Sequence, residues 1–277
     1  MSKEKKVVLI TGCSSGIGFE TAKILANQFH ILATARKQSD VQKLQELGFE
    51  SYKLDVTSQF DVEHIFQIIK EKHKNNFFAV FNNAGYGQPG ALEDLPIQAL
   101  KEQFETNFFG LFAITKKAIE LFRQNNHGII IQHSSVLGLI SLRFRGAYNA
   151  SKYAIEGLND TLRLELSNTN IKIVTLNTGP IESNFRKNAM QKFYQWIDIK
   201  NSNFQKTYQQ EVEARLHSKD DSFFTKPSSL VAFTISNILN SKNPKPRYKI
   251  TLATKILYIF KRILSTATLD KILLRLG

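Results

Sequence analysis

Along the chain, short runs of apolar residues alternate with longer stretches in which apolar positions recur every three or four residues. Val7–Thr11 reads as a buried strand, followed by a glycine-rich turn and a helical pattern over Ile17–Gln28. His30–Ala35, Tyr52–Val56, Phe77–Asn82, Ile129–His133 and Ile171–Asn177 repeat the strand signal, each rich in Val, Ile, Leu or Phe. Between them, Phe60–His73, Ile97–Arg123 and Ala147–Leu166 carry the helical period. Strands that are apolar throughout need cover on both faces, and helices alternating with them supply it. The pattern therefore predicts an α/β fold: a single-domain, Rossmann-type doubly wound parallel sheet of about seven strands, opened by its first βαβ unit.

After Gly179-Pro180 the periodicity fades. Residues 185–227 are polar with scattered aromatics and read as irregular; a helix is expected over Ser228–Leu239 and a last strand over Tyr248–Leu252. No repeat or low-complexity linker interrupts the chain, so residues 1–252 are expected to form the domain and 253–277 a helical extension. In that extension Ile256, Ile259, Phe260, Ile263 and Leu264, then Leu269, Ile272, Leu273 and Leu276, recur at helical spacing. Lys255, Lys261, Arg262, Lys271 and Arg275 lie among them. Such a stripe ordinarily packs on the protein's own body or on a second subunit. The alternative is a peripheral contact of residues 255–277 with a membrane, cations toward anionic headgroups.

Charge sharpens that division. Of a net +13, residues 241–277 contribute +8, from nine basic residues and the single acid Asp270. The body is only mildly basic, and with no recognised nucleic-acid module no nucleic-acid partner is expected. Cys13 is the only cysteine, so no internal disulfide forms and a reducing, cytoplasmic setting is expected. The apolar run at Val7–Thr11 is too short for a secretory signal, and no run is long enough to span a bilayer. His30, His64, His73, His127, His133 and His217 show no ligand spacing with cysteine or acids, and no metal site is expected.

Candidate chemistry begins at the first turn, Thr11-Gly12-Cys13-Ser14-Ser15-Gly16-Ile17-Gly18. Glycines after a first strand let the backbone approach a pyrophosphate, which then rests on the positive end of the next helix. After the second strand stands Ala33-Thr34-Ala35-Arg36-Lys37, where an NAD-preferring fold carries an acid for the ribose 2′-hydroxyl. A carboxylate repels a 2′-phosphate and a guanidinium binds one, so Arg36 and Lys37 favour NADP(H). Tyr148 and Lys152, four apart, share a helix face, where an ammonium is expected to lower the phenol's pKa and make it an acid/base. Ser135, at a strand end, can bond the same substrate oxygen. His133 is two residues earlier on the same face and reads as a packed histidine rather than a catalyst.

Taken together, these motifs resemble the short-chain dehydrogenase/reductase family over at least residues 5–185. The likeness rests on Thr11-Gly12 with Gly16-Ile17-Gly18, Asp55-Val56, Asn82-Asn83-Ala84-Gly85, Asn107, Ser135, Tyr148-Asn149-Ala150-Ser151-Lys152 and Gly179-Pro180. Within the family the chain is most similar to bacterial NADP-dependent aldehyde reductases and to the retinol and 17β-hydroxysteroid dehydrogenase branch, through Asn82–Gly87, Ser134–Ile140 and Lys245–Thr251. The resemblance implies an NADP(H)-dependent oxidoreductase moving hydride between nicotinamide and a carbonyl or alcohol carbon. Tyr148 is then the acid/base, Lys152 binds the nicotinamide ribose, Ser135 orients the carbonyl and Asn107 holds a relay water. Gly12, Ser14, Ser15, Gly16, Ile17 and Gly18 would take the diphosphate, and Asp55 and Val56 the adenine. Asn83, Ala84 and Gly85 would lie beside the cofactor, with Pro180, Ile181 and Ser183 along the nicotinamide. Thr178 departs from the family's usual proline and is expected to be tolerated.

Residues 185–227 would then be a substrate lid. Its aromatics Phe185, Phe193, Tyr194, Trp196, Phe204, Tyr208, Phe223 and Phe224 suggest a small hydrophobic carbonyl or alcohol as substrate. The other reading makes them core caps that no ligand touches. Ile97–Arg123 and Ala147–Leu166 would pair across a two-fold axis into a homodimer or homotetramer. Two other functions stay open: reduction of 3-oxoacyl groups on an acyl carrier protein, and an NADP(H)-binding regulator without turnover.

Overall fold

The structure is a computed structural model in which residues 4–217 and 225–276 are described. Its strands are β1 (Val7–Ile10), β2 (His30–Ala35), β3 (Glu50–Lys53), β4 (Phe77–Asn82), β5 (Gly128–Ser135), β6 (Ile171–Thr178) and β7 (Arg247–Lys249). They form one seven-stranded sheet in the order β3-β2-β1-β4-β5-β6-β7, every neighbouring pair parallel. The helices are α1 (Gly16–Leu25), α2 (Gln38–Glu46), α3 (Gln59–Ile68), α4 (Ile97–Phe104), α5 (Leu111–Asn125) and α6 (Gly146–Glu165). After β6 come α7 (Phe185–Trp196), α8 (Gln205–Thr207), α9 (Glu213–His217), α10 (Ser228–Asn240), α11 (Leu252–Ile263) and α12 (Thr266–Leu273).

Alternation along each strand feeds two cores. Val8 and Ile10, with Ala33, Ile131 and Val174, pack toward α1 and α10 through Ala22, Leu25 and Ile235. Val7 and Leu9, with Leu32, Val80 and Ile130, meet Ile65, Ile114, Phe122 and Leu162 on the other side. Each Leu or Ile so enclosed stabilises the fold by about 1.5–3 kcal/mol, and this is the doubly wound arrangement the apolar strands require. The chain leaves β1 toward β2 on one side and returns at β4 on the other, which opens a crevice at the carboxyl ends of β1 and β4.

Four details differ from the sequence reading. The third strand lies at Glu50–Lys53, not Tyr52–Val56, because its register is set by pairing Leu32–Ala35 of β2. The last strand is only Arg247–Lys249: the Thr251 hydroxyl accepts from Thr254 N and starts α11 one residue later. Ile97–Arg123 is helical throughout but contains a π-helical stretch, Glu105–Gly110, between α4 and α5. Residues 185–217 are mostly helical rather than irregular, since Ala189, Phe193 and Ile197 are buried four apart in a polar surround that masks the period.

The extension both packs on the body and exposes apolar surface. Leu257, Phe260, Leu264, Leu269 and Leu273 cover Leu137, Ile140, Leu142 and the Tyr148 ring. Leu252, Ile256, Ile259 and Ile263, on another face of α11, remain exposed. Among the described residues no helix is long and apolar enough to cross a membrane.

Candidate active site

Every site residue expected from the sequence lies on loops or turns at the carboxyl edge of the sheet, or on the helices that follow them. The turn after β1 holds Gly12 at φ +74 and Gly16 at φ +58, a region that disfavours side chains. Gly18 is required by space: a Cβ there would sit 2.3 Å from the Gly12 carbonyl oxygen and 2.6 Å from Asn83 Nδ2. Asn83 Nδ2 donates to the carbonyls of Thr11 (2.9 Å) and Gly12 (3.0 Å), while Thr11 Oγ1 accepts from Asn83 N and Ala84 N. These bonds stitch Thr11 and Gly12, at the start of the turn, to Asn83 and Ala84. Ser183 closes the other side, since a Cβ on Gly16 would come 3.0 Å from its own. Ser15 stands at the N-cap of α1 with no side-chain capping bond. The first-turn N–H groups are thus presented to an anion, as a diphosphate requires.

Arg36 and Lys37 are exposed just beyond β2; burial, then Glu102, push the nearby Tyr86 phenol up to about 12, and Arg36 offsets part of that rise. Asp55 accepts from Thr57 N and Oγ1, which fixes the turn that carries Val56. Asn107 is buried within the π-helical stretch, whose extra residue turns it inward. It accepts from Tyr86 N and donates to Tyr86 O (2.9 Å) and Ser151 Oγ (3.2 Å). Pro180 and Ile181 run beside Lys226: Pro180 O accepts from Lys226 N, and Glu182 N donates to Lys226 O.

At the end of β5, Ser135 accepts from Leu137 N and lies beside the Tyr148 hydroxyl. Lys152, one helical turn on, donates to the His133 carbonyl at 2.6 Å, with Nζ 5.5 Å from the Tyr148 ring centre. Burial pushes the Tyr148 phenol up to about 12, against a smaller lowering by Ser135. The Lys152 amine points at a carbonyl, and desolvation outweighs Ser135 at the phenol. Burial also lowers Lys152 to about 8, partly offset by Glu156.

Two features were beyond sequence reasoning. His133 bridges the halves of the site, Nδ1 to Asn83 Oδ1 (3.2 Å) and Nε2 to Thr178 Oγ1 (3.1 Å). Burial and then the Lys152 cation push its pKa down to about 3, leaving it a neutral packing residue. Thr178 supplies a hydrogen bond that proline could not, which accounts for the departure from the family pattern. Glu156 accepts from Ser134, Asn177 and Arg247, tying α6 to β6 and β7. The i+4 spacing from Lys152 shows only that Glu156 shares its face; the partner ninety-one residues on is not legible.

Of the lid aromatics, Phe185 meets Tyr148 edge-on at 5.3 Å and lies against Gly87. Phe193, Phe204 and Tyr208 instead form a satellite core with Ala91, Ile197, Val212 and Phe144, and so cap structure rather than line the crevice. Phe223 and Phe224 lie outside the described residues. On the opposite edge of the sheet His30, Glu50 and His73 come together, all three ligand-capable atoms within 4.8 Å of one another. The three residues come from separate elements, so no spacing along the chain could announce their proximity.

A glycine cradle at a sheet switch point beside a Ser/Tyr/Lys cluster defines a dinucleotide-dependent oxidoreductase fold and site. The chain belongs to the short chain dehydrogenase family, whose model matches residues 6–193, and acts as an oxidoreductase of CH–OH and C=O groups. It is 36% identical over 270 residues to the uncharacterized oxidoreductase YbbO of Escherichia coli K12, covering 97% of this chain and 94% of that protein. It is 31% identical to a 3-ketodihydrosphingosine reductase of Bacteroides thetaiotaomicron, covering 92% and 91%. With bovine retinol dehydrogenase 8 it shares 33% over 200 residues, 69% of this chain and 64% of that one. A short-chain dehydrogenase structure from Streptomyces avermitilis superposes with TM-score 0.78 at 21% identity, covering 98% and 96%. Among similar folds, a serine dehydrogenase is complexed with NADP+ (TM-score 0.73, 22% identity, 90% and 95%). A Burkholderia phymatum enzyme is complexed with NAD (TM-score 0.73, 21% identity, 89% and 90%).

Proposed function

We propose that this enzyme uses NADP(H) to reduce hydrophobic aldehydes or ketones, and to oxidise the corresponding alcohols. The observation that carries the reading is Tyr148 beside Ser135, with Lys152 one helical turn on and its Nζ 5.5 Å from the ring centre, at the same end of the sheet as the glycine cradle. The cradle fits a dinucleotide: Gly12, Ser14, Ser15, Gly16, Ile17 and Gly18 would hold its diphosphate, Arg36 and Lys37 the 2′-phosphate, and Asp55 and Val56 the adenine. Asn83, Ala84, Gly85, Pro180, Ile181 and Ser183 would flank the nicotinamide side. When bound, the cofactor supplies hydride to the carbonyl carbon. Ser135 and Tyr148 hold the carbonyl oxygen, and Tyr148 gives it a proton as negative charge develops there. Lys152 would hold the ribose and, through its charge, the proton balance of Tyr148. Asn107 would hold the relay water behind it.

Phe185 beside Tyr148, and the names of two relatives, support a hydrophobic carbonyl or alcohol as substrate. NADPH oxidation with decanal, a steroid ketone and an acyl-carrier thioester, each against Tyr148→Phe, separates this reading from its rivals. Preference for the thioester supports acyl-carrier reduction, and cofactor binding without turnover on any substrate supports a regulator.

Two surface readings go with it. Phe109, Phe112, Tyr153 and Leu164 are exposed on the helical pair around α5 and α6, which supports a homodimer or homotetramer through those helices. A species of about 32 kDa alone in light scattering, the monomer mass, would contradict it. Residues 253–277 serve as an extension closing over the rim near Tyr148. Its outer stripe, flanked by Lys255, Lys261 and Arg262, supports peripheral contact between a cytoplasmic enzyme and an anionic membrane. Co-sedimentation with anionic vesicles should fall for Ile256→Glu with Ile259→Glu; equal pelleting of both proteins would refute the contact.

A further inference from the structure

The sheet edge remote from the glycine cradle carries its own cluster of donor groups. His30 is the first residue of β2, Glu50 the first of β3, and His73 ends the helical turn that follows α3. In a parallel sheet these positions share one edge, at the amino ends of the strands. His30 Nε2 lies 2.5 Å from Glu50 Oε2, and His73 Nε2 lies 3.0 Å from Glu50 Oε1. The imidazole centres are 5.2 Å apart. Tyr52 donates to Glu50 Oε1 at 2.6 Å, orienting the carboxylate.

We infer that His30, Glu50 and His73 form a binding site for a zinc-type divalent cation, separate from the hydride-transfer site. Two imidazole nitrogens with one carboxylate oxygen are a donor set suited to Zn2+ and its late first-row neighbours, whereas Mg2+ and Ca2+ favour oxygen alone. Donors bound at about 2.0–2.2 Å in a tetrahedron stand about 3.3 Å from one another. The three donor atoms already lie within 4.8 Å, so side-chain adjustment suffices. Both imidazoles turn Nε2 toward the same carboxylate, one to each of its oxygens, and the Tyr52 hydroxyl is the kind of outer partner that fixes a ligating carboxylate. His30 is 40% exposed while His73 and Glu50 are more enclosed, which leaves a path for the ion and room for a water as fourth ligand. A bound ion would fasten β2, β3 and the end of α3 together at an edge now held by two carboxylate–imidazole bonds.

The full chain titrated calorimetrically with zinc chloride near pH 7.5 tests this, with cobalt chloride absorption as a readout independent of turnover. The expected result is one equivalent bound, with affinity reduced at least tenfold in His30→Asn and in Glu50→Gln. Co2+ bands of a four- or five-coordinate site should disappear in the His30→Asn, His73→Asn double variant. His64→Asn and His127→Asn, altered at surface histidines outside the cluster, should bind as the parent does. Because His30 is exposed, His30→Asn is expected to stay folded by circular dichroism and to retain NADPH binding. Absence of one-equivalent uptake, or equal uptake by the parent and the double variant, overturns the site.

Discussion

The two halves of this molecule are held together by different means. From β1 to the turn after β6, polar groups fix the site among themselves: Thr11 with Asn83, Asn82 with Thr115 and Gln132, His133 with Asn83 and Thr178, Lys152 with the His133 carbonyl. From Phe185 onward the chain meets the first half through apolar clusters, the satellite core around Phe193 and Tyr208 and the tail residues over Leu137 and Ile140, pinned by single polar ties such as Arg247 to Glu156 and Tyr208 to Asp94. Hydrogen bonds specify direction and hold reacting groups to a fraction of an ångström. Apolar packing tolerates exchange of shape at small cost. One half of the chain can therefore keep one chemistry while the other changes what that chemistry acts on.

The largest effect expected is in the first half. Tyr148→Phe should lower turnover by about 10²–10⁴-fold, the range for losing a positioned acid, while NADPH titration shows nearly unchanged affinity. Lys152→Met should damage both turnover and cofactor affinity, because the same amine serves the ribose and the proton balance. Next comes the cofactor choice. Arg36→Asp should weaken NADPH binding by about tenfold or more, since a charge-assisted bond contributes about 1.5–3 kcal/mol, and should leave NADH little affected. Equal affinities of the parent for both cofactors, by calorimetry, would remove the basis for that claim.

A third test concerns the ion pair that ties the second half to the first. Arg247→Met strands the Glu156 carboxylate, which is 11% exposed, and should cost about 3 kcal/mol in denaturant unfolding. Phe185→Ala sharpens the contrast from the other side: KM for a hydrophobic carbonyl should rise a few fold, with kcat little changed. A further test concerns pH. His133 titrates at about 3 when folded against an ordinary 6.5, so the unfolded chain takes up the proton first. Its contribution to stability is present above 6.5 and is lost as pH falls toward 3. His133→Gln should flatten Tm over that window; an unchanged slope would mean the ring is not neutral in the fold.

This division also governs what the sequence could disclose. The glycine loop, Ser135, and Tyr148 with Lys152 were legible because local geometry binds residue type to position, through a turn, a strand end and an i+4 helix face. The sheet was legible because apolar strands alternate with helices. His133 reads as a packed histidine from the sequence, but its bonds to Asn83 and Thr178, like the Glu156–Arg247 pair, do not, since each depends on a partner brought near only by the completed sheet. Residues 185–217 hid their helices because Phe193, Ile197 and Tyr208 are buried by neighbours remote in sequence, such as Ala91 and Phe144. The same holds for His30, Glu50 and His73.

At the centre stands a claim about atoms: hydride reaches the carbonyl carbon while Tyr148 protonates the oxygen. NADPH carrying deuterium on both C4 positions, incubated with decanal and the enzyme and followed by mass spectrometry, tests it directly. The account predicts one deuterium on the carbinol carbon of the decanol formed, and product formed about a hundredfold or more slowly by Tyr148→Phe that still binds NADPH. Decanol without deuterium, or labelled decanol from Tyr148→Phe at a rate near the parent's, would contradict it.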